Sequence, residues 1–224
     1  MIAMIDWLQV AAVTWFTIST AARSIVVSRR LGRNPILLGP RHDGVGGLLA
    51  LSEFITTNLW IALLLASVLP IDRWSLPALI AWRWAPPLWV RLAGVALIIG
   101  AFVLRQAAMR ALGDSWRLGL DHDQPGPLVT SGPYAWSRNP IYLFFALWML
   151  GAFLACGAWP LVPVGLASAV QLHALALQEE LALRARFGAL YDDYTRRVRR
   201  YLGARPQAAQ AARRASWRAS SRSR

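Results

Sequence analysis

The longest apolar run of the chain extends over residues 139–178, a stretch of 40 positions without Asp, Glu, Lys or Arg. A single membrane-spanning helix needs about 20 apolar residues, so this run is long enough for two. Gly157-Ala158-Trp159-Pro160 lies near its middle and is typical of a turn. The pattern therefore predicts a helical hairpin whose two ends lie at the same membrane surface.

Three further apolar segments precede the hairpin, and they predict an all-α polytopic membrane protein of about five transmembrane helices. The predicted spans are residues 5–27, 44–69, 87–108, 140–156 and 159–178. The third has a short charge-free core, so we expect Arg91 and Arg105 to extend toward opposite interfaces.

After Glu180 the apolar residues recur at helical spacing, which predicts a cytoplasmic amphipathic helix on the membrane or against the end of the hairpin. The apolar positions are Phe187, Leu190, Tyr191, Tyr194, Val198, Tyr201 and Leu202. Residues 203–224 are rich in Ala, Arg and Ser, and we expect a disordered basic tail with affinity for anionic lipid. This divides the chain into a membrane domain, residues 1–202, and the tail.

Composition agrees with a membrane protein, because 56% of the 224 residues are hydrophobic. The net charge is +13 and every basic residue is an arginine. Arginines concentrate in the first and third predicted loops and in the C-terminal region, which places the N-terminus outside and the C-terminus in the cytoplasm. We expect a bacterial inner-membrane protein without a cleaved signal peptide. Its basic cytoplasmic face accounts for the charge without nucleic-acid binding.

Two adjacent carboxylates close the apolar run, and their surroundings differ. Residues three and four positions from Glu179 are Leu175, Ala176, Ala182 and Leu183, none of them a cation. A charge on such a face is costly without a partner, which makes Glu179 the leading candidate for a functional residue. Glu180 has Arg184 four residues on, so a surface ion pair is the alternative to a functional role.

Other polar residues within the predicted spans allow two interpretations each. His173 is either functional or hydrogen-bonded to a neighbouring helix. Glu53 either faces a cavity or pairs with Arg23 or Arg105. No metal site is expected, because the histidines are scattered and the cysteine is alone. These residues are His42, His122, His173 and Cys156.

An ordered series of motifs extends over residues 126–201. The motifs are Gly132-Pro133-Tyr134, Arg138-Asn139-Pro140-Ile141-Tyr142, the apolar hairpin, Glu179-Glu180, Phe187-Gly188, Tyr191, Tyr194 and Arg197-Val198. This series resembles the isoprenylcysteine carboxyl methyltransferase and phospholipid methyltransferase superfamily of integral-membrane enzymes. The first three spans resemble the superfamily only in number and hydropathy.

The resemblance implies S-adenosylmethionine as the methyl donor, bound at the cytoplasmic surface. Glu179 would receive the α-ammonium of the cofactor, while Tyr134 and the backbone around Leu128 would hold its nucleoside. The implied cofactor contacts are Gly126, Pro127, Leu128, Val129, Tyr134, Asn139, Pro140, Ile141, Tyr142 and Glu179.

Two departures from the superfamily bear on the acceptor. Protein-methylating members usually have Arg-His-Pro, and here the middle residue is Asn139. They also place an arginine four residues before the first Glu to meet the carboxylate of the substrate, and here that residue is Leu175. Amine, thiol and carboxylate nucleophiles all stay open.

The implied reaction is methyl transfer to an amphipathic or lipid-like acceptor that enters between the helices. Arg138 would orient an acceptor phosphate or carboxylate, or contact the carboxylate of the cofactor. Glu180 would take a proton from an amine. Positioning and exclusion of water would supply most of the catalysis.

Two alternatives use the same residues differently. Membrane sterol reductases have a similar C-terminal cofactor region and use NADPH, whose 2′-phosphate Arg117, Arg138 or Arg184 could bind. The other alternative is a non-enzymatic membrane adaptor whose basic tail binds anionic lipid or a partner.

Overall fold

The computed structural model describes residues 2–32, 44–69, 82–113 and 127–203, and its regular structure within these ranges is helical. The α-helices are α1 (Ile2–Leu31), α2 (Val45–Val68), α3 (Leu88–Leu112), α4 (Pro140–Cys156), α5 (Leu161–Phe187) and α6 (Ala189–Arg197). A short 3-10 helix, Gly132–Ala135, precedes α4.

Four helices, α1, α2, α3 and α5, are long and apolar enough to cross a membrane, while α4 is a shorter apolar helix of 17 residues. Large apolar side chains are exposed on their outer faces, including Val103 on α3 and Val170 on α5. Exposed apolar surface of this extent suits contact with lipid. The predicted all-α polytopic membrane fold is confirmed, and the exact number of spans stays a prediction.

The turn between α4 and α5 lies at the predicted position. Gly157 has φ 71°, and a side chain there would collide with the carbonyl oxygen of Trp84. The Trp84 amide donates to the Gly157 carbonyl at 3.1 Å, and the Trp159 amide donates to the Trp82 carbonyl at 3.2 Å. The hairpin tip is therefore held by the segment that leads into α3.

Helix α3 packs along α4, and α2 packs along α5. The α3–α4 contact is close because Gly94 faces Gly151: a Cβ built at either glycine would lie 2.5–2.7 Å from the carbonyl oxygen of the other. Aromatic rings from four helices fill the interior beside this contact. These rings are Phe16, Trp60, Phe102, Phe144 and Trp148.

The two α3 arginines that were predicted to extend toward the interfaces, Arg91 and Arg105, differ from the prediction in one respect. Arg91 forms an ion pair with Asp6 near the N-terminus of α1, at 3.0 Å. Arg105 does not extend to an interface: it is 4% exposed and donates to the hydroxyls of Ser19 and Thr20 at 2.9 and 2.7 Å. Its guanidinium also lies over the Phe16 ring, 5.1 Å from the centroid. These partners on α1 satisfy the charge inside the bundle.

The segment after Glu180 is not one continuous amphipathic helix. Helix α5 continues to Phe187, and Gly188 ends it with φ 50°, a conformation that glycine adopts at little cost. Helix α6 then covers only Ala189–Arg197, and Tyr201 and Leu202 lie beyond its end. All of the predicted tail except Gly203 lies outside the described residues.

Candidate functional site

Three parts of the chain meet at the C-terminal end of α5. They are the loop with the start of α4 (residues 127–142), the last turns of α5, and the segment 191–203. The Arg138 and Asn139 amides donate to the carbonyls of Arg199 and Arg200 at 3.0 and 3.1 Å, and the Gly203 amide donates to the Trp136 carbonyl at 3.0 Å. The site is therefore built from residues up to about 65 positions apart in sequence.

Glu179 lies against two tyrosines. The Tyr142 hydroxyl donates to Glu179 Oε2 at 3.1 Å. Burial raises the pKa of the Tyr134 phenol, and the nearby carboxylate of Glu179 raises it further, so this phenol stays neutral beside the carboxylate. Within the part of the chain that the structure describes, no arginine forms an ion pair with Glu179.

Glu180, the next residue, has the opposite environment. Arg200 contacts it through Nε at 2.7 Å and Nη2 at 3.0 Å, and Arg138 Nη2 lies 3.2 Å from Oε1. The Asn139 amide also donates to Oε1 at 3.4 Å. The ion pair predicted with Arg184 is wrong, because Arg184 Nε instead contacts Asp192 at 2.8 Å across the turn at Gly188. Glu180 is 8% exposed, so this is an internal ionic cluster.

Arg200 is a site residue that the sequence patterns did not reveal. Its side chain binds Glu180, and its carbonyl accepts from the Ser137 hydroxyl at 3.3 Å and the Asn139 side-chain amide at 3.3 Å. Ser137 is fully buried, and its hydroxyl also accepts from the Asn139 backbone amide at 3.2 Å. Burial of a hydroxyl is tolerated when it is hydrogen-bonded in this way. Arg200 is one of several arginines in this segment, and no sequence pattern distinguishes it from the others.

Helix α6 supports the loop from the other side. The Tyr194 hydroxyl donates to the Tyr134 carbonyl at 2.6 Å. Tyr191, Tyr194 and Val198 form a small core against which Leu128 packs. The loop residues that were predicted to bind a nucleoside are therefore held by the amphipathic face of α6.

The remaining predicted contact residues have different surroundings. Pro140 is buried as the first residue of α4, and Ile141 packs in a separate cluster with Val27 and Met109. Pro127 is exposed and Val129 is half-buried, while Gly126 lies outside the described residues. Tyr134, Asn139 and Tyr142 come together with the Glu179-Glu180 pair, whereas Ile141 packs elsewhere.

His173 and Glu53 contact other partners. His173 is exposed, and its Nδ1 lies 2.7 Å from the Tyr201 hydroxyl. Glu53 accepts from Thr57 and Ser168, so the predicted pairing with Arg23 or Arg105 is wrong. Arg23 donates to the Gly113 carbonyl, and Arg105 is held by α1.

The carboxylates of Glu179 and Glu180 therefore differ in their ionic partners. Glu180 is neutralised by two guanidinium groups, while the described contact of Glu179 is one neutral phenol. A carboxylate in this setting gains most from a cationic ligand that donates hydrogen bonds. Among the described residues, Glu179 is thus a carboxylate with a hydrogen bond from a tyrosine and no ion-pair partner.

Comparisons with known proteins cover the same region. Residues 89–189 match the family described as phospholipid methyltransferase. The protein-S-isoprenylcysteine O-methyltransferase of Xenopus laevis is 31% identical over 113 residues, which are 49% of this chain and 39% of that protein. The proteins of the same name from Homo sapiens and Rattus norvegicus are 30% and 32% identical over 115 residues, 49% of this chain and 40% of each relative. The match therefore spans about two fifths of the length of these relatives.

Proposed function

The chain is related to the isoprenylcysteine carboxyl methyltransferase and phospholipid methyltransferase superfamily, and from this premise we propose that it is an integral-membrane methyltransferase. Its methyl donor is S-adenosylmethionine, and its acceptor is an amphipathic or lipid-like molecule at the cytoplasmic membrane surface. In this proposal the protein lies in a bacterial inner membrane with its N-terminus outside and its C-terminus in the cytoplasm.

The contrast between Glu179 and Glu180 carries the proposal. Two neighbouring residues on one helix end have the same carboxylate, yet Arg138 and Arg200 contact only Glu180. Glu179 receives a hydrogen bond from Tyr142 and, among the described residues, has no ion-pair partner, so its carboxyl group is left for a ligand. This is what a site for the α-ammonium of an amino-acid cofactor requires.

The residues around Glu179 fit the rest of that cofactor. S-adenosylmethionine supplies an electrophilic methyl group on a sulfonium centre, which is itself a cation. Tyr134 and the backbone at Leu128 would hold the nucleoside. Pro127, Val129, Asn139, Pro140, Ile141 and Tyr142 would complete the pocket, together with Gly126 from the sequence prediction.

Arg138 and Glu180 keep their predicted catalytic roles only as proposals. They contact each other at 3.2 Å, and Glu180 is also held by Arg200. For Glu180 to take a proton from an acceptor, or for Arg138 to orient one, this cluster has to open. In the closed arrangement both residues fix the end of α5, so that Glu179 and Tyr142 stay aligned.

The same contacts weaken the reductase alternative. A 2′-phosphate site needs available guanidinium groups, yet Arg138 is engaged by Glu180 and Arg184 by Asp192. Arg117, the third candidate, lies outside the described residues. The adaptor alternative leaves the Glu179 arrangement without a role.

Calorimetric titration of the purified full chain in detergent tests the proposal. Wild type should bind S-adenosylmethionine, and Glu179→Gln should weaken binding by about tenfold or more, because one charge-assisted hydrogen bond is lost. Asp193→Asn, on the exposed side of α6, is the matched control and should bind like wild type. Competition by NADPH would favour the reductase. Failure of folded wild type to bind either cofactor would leave the adaptor.

A further inference from the structure

A second polar cluster lies between α2 and α5, away from the ionic cluster at Glu180. Glu53 on α2 is 7% exposed, and Ser168 on α5 is fully buried. Both donors that reach Glu53 contact the same oxygen: the Ser168 hydroxyl lies 2.5 Å from Oε1, and the Thr57 hydroxyl lies 2.9 Å from it. The other oxygen, Oε2, is buried and has no hydrogen-bond partner.

A neighbouring group on α5 is in the same situation. Gln171 follows Ser168 by three residues, so the two lie on the same side of the helix. Its Oε1 is also buried without a hydrogen-bond partner. Leaving a buried acceptor unsatisfied costs about 1–3 kcal/mol, and here one acceptor on α2 and one on α5 have no hydrogen-bond partner.

The cluster adjoins the site at Glu179. Ser168 and Glu179 are eleven residues apart on α5, close to three full turns, so they lie on one face about 16 Å apart along the axis. Tyr142 on α4 contacts this face at Glu179, because its hydroxyl donates to Oε2 at 3.1 Å. A molecule that enters between α2 and α5 would therefore meet both carboxylates.

Resting on the proposed function, we infer that Glu53, with Ser168 and Gln171, is a subsite for a cationic, N–H-bearing group of the acceptor. Glu53 Oε2 and Gln171 Oε1 are both acceptors, so the complementary group has to donate hydrogen bonds. A carboxylate in an apolar interior gains most from a donor that is also positively charged. The two arginines that the sequence suggested as partners of Glu53, Arg23 and Arg105, are held by Gly113 and α1.

The same face disfavours a carboxylate-bearing acceptor. Leu175 lies between Gln171 and Glu179 and is 7% exposed, so this part of the face is apolar. An acceptor carboxylate would approach Glu53 without a compensating cation, which like-charge repulsion and desolvation oppose. The subsite therefore selects acceptors with a positively charged group. This group need not contain the atom that is methylated.

Binding of short amphiphiles to the full chain in neutral phosphatidylcholine nanodiscs tests this inference. Octylamine, octanol and octanoate share one tail and differ in head group, and tryptophan fluorescence reports their binding. Wild type should prefer octylamine. Glu53→Gln keeps the shape and should weaken octylamine binding by about tenfold, because the charge is lost, while octanol binding stays unchanged.

Two further variants keep the test decisive. Gln171→Leu should weaken octylamine binding by a few-fold, because one neutral hydrogen-bond acceptor is lost. This variant replaces Glu53→Gln in the test if Glu53→Gln does not fold. Asn58→Leu, on the exposed face of α2, is the control and should match wild type. Equal octylamine binding in wild type and Glu53→Gln, or tighter binding of octanoate than octylamine, would overturn the inference.

S-adenosylmethionine titration of the same samples separates this inference from the proposed function. Cofactor binding that is equal in wild type and Glu53→Gln, with weaker octylamine binding only in the variant, supports both. A wild-type protein that binds the cofactor but does not prefer octylamine removes the subsite alone. Octylamine selectivity in a protein that binds no cofactor would contradict the methyltransferase proposal and leave a cation site.

Discussion

Arg200 and Glu180 form a two-point ion pair, with Nε 2.7 Å from Oε1 and Nη2 3.0 Å from Oε2. This contact joins the segment after α6 to the end of α5, while Arg184 forms its ion pair with Asp192 instead. Because Glu179 is the adjacent residue, the ion pair also fixes the direction of the carboxylate that we propose for the cofactor. The pair is thus a positioning element for the site.

Replacing Arg200 should test that role. We expect Arg200→Ala to lower the free energy of unfolding by about 1–3 kcal/mol, since Glu180 keeps Arg138 but loses its closer partner. S-adenosylmethionine binding should also weaken in Arg200→Ala. Arg200→Lys should recover only part of the stability and part of the cofactor affinity, because lysine cannot make the two-point contact. Thermal unfolding and calorimetry in detergent measure these effects. Arg199→Ala, at an exposed neighbour, should change neither. Equal stability of the two alanine variants would refute the role.

The hydroxyl of Tyr142 should matter for the cofactor rather than for folding. Tyr142→Phe removes the donor to Glu179, and we expect S-adenosylmethionine affinity to fall by about 3–10-fold, as for a single hydrogen bond. Tyr201→Phe is a matched control, because it removes a hydroxyl whose hydrogen-bond partner among the described residues is the exposed His173 ring. If both variants bind the cofactor like wild type, the Tyr142–Glu179 contact has no part in binding.

The close contact of α3 and α4 should not tolerate a methyl group. In Gly94→Ala the new Cβ would overlap the Gly151 carbonyl, and we expect a loss of about 1–3 kcal/mol as the helices separate. Gly100→Ala lies on the same helix with open space around it, and it should be neutral or stabilising by up to about 1 kcal/mol. Unfolding by a graded denaturing detergent compares the pair. A Gly94 variant as stable as the Gly100 variant would contradict the packing described for α3.

Two tyrosines on α6 should respond oppositely to the loss of their hydroxyls. Tyr194→Phe removes the 2.6 Å hydrogen bond to the Tyr134 carbonyl, so we expect a loss of about 1 kcal/mol in stability. The Tyr191 hydroxyl is buried without a hydrogen-bond partner, so Tyr191→Phe should be neutral or stabilising by a similar amount. Thermal unfolding measures both. A more stable Tyr194→Phe than Tyr191→Phe would contradict this assignment.

Alkaline pH should weaken the folded state through the same tyrosines. Burial raises the pKa values of Tyr134, Tyr191 and Tyr194 above their ordinary value near 10. Above about pH 10 these phenols ionise in the unfolded chain while they stay protonated in the folded protein, so the free energy of unfolding falls as pH rises. Unfolding at pH 8–11 measures the slope, and Tyr191→Phe should make it shallower. An unchanged slope in that variant would show that Tyr191 titrates alike in both states.

The sequence by itself determined the helices and the hairpin. Runs of apolar residues long enough to cross a bilayer, interrupted at Gly157, leave helices as the regular structure that satisfies the backbone. The local surroundings of Glu179 were also visible, because the absence of a cation three or four residues away is a property of one helix. The approximate positions of the long apolar helices and the turn therefore followed from local pattern, whereas the C-terminal ends of α3 and α5 did not. The role of Glu179 stays a prediction.

Only the tertiary structure decided which groups pair across the bundle. The sequence offered Arg184 to Glu180 and Arg105 to Glu53, yet the partners are Arg200 and Ser168. The change of direction at Gly188 brings Asp192 to Arg184, and backbone pairing of residues 199–203 with the loop before α4 brings Arg200 to Glu180. Helical periodicity predicts contacts between residues three or four positions apart. These pairings instead join segments that are distant in sequence and that only the tertiary fold brings together.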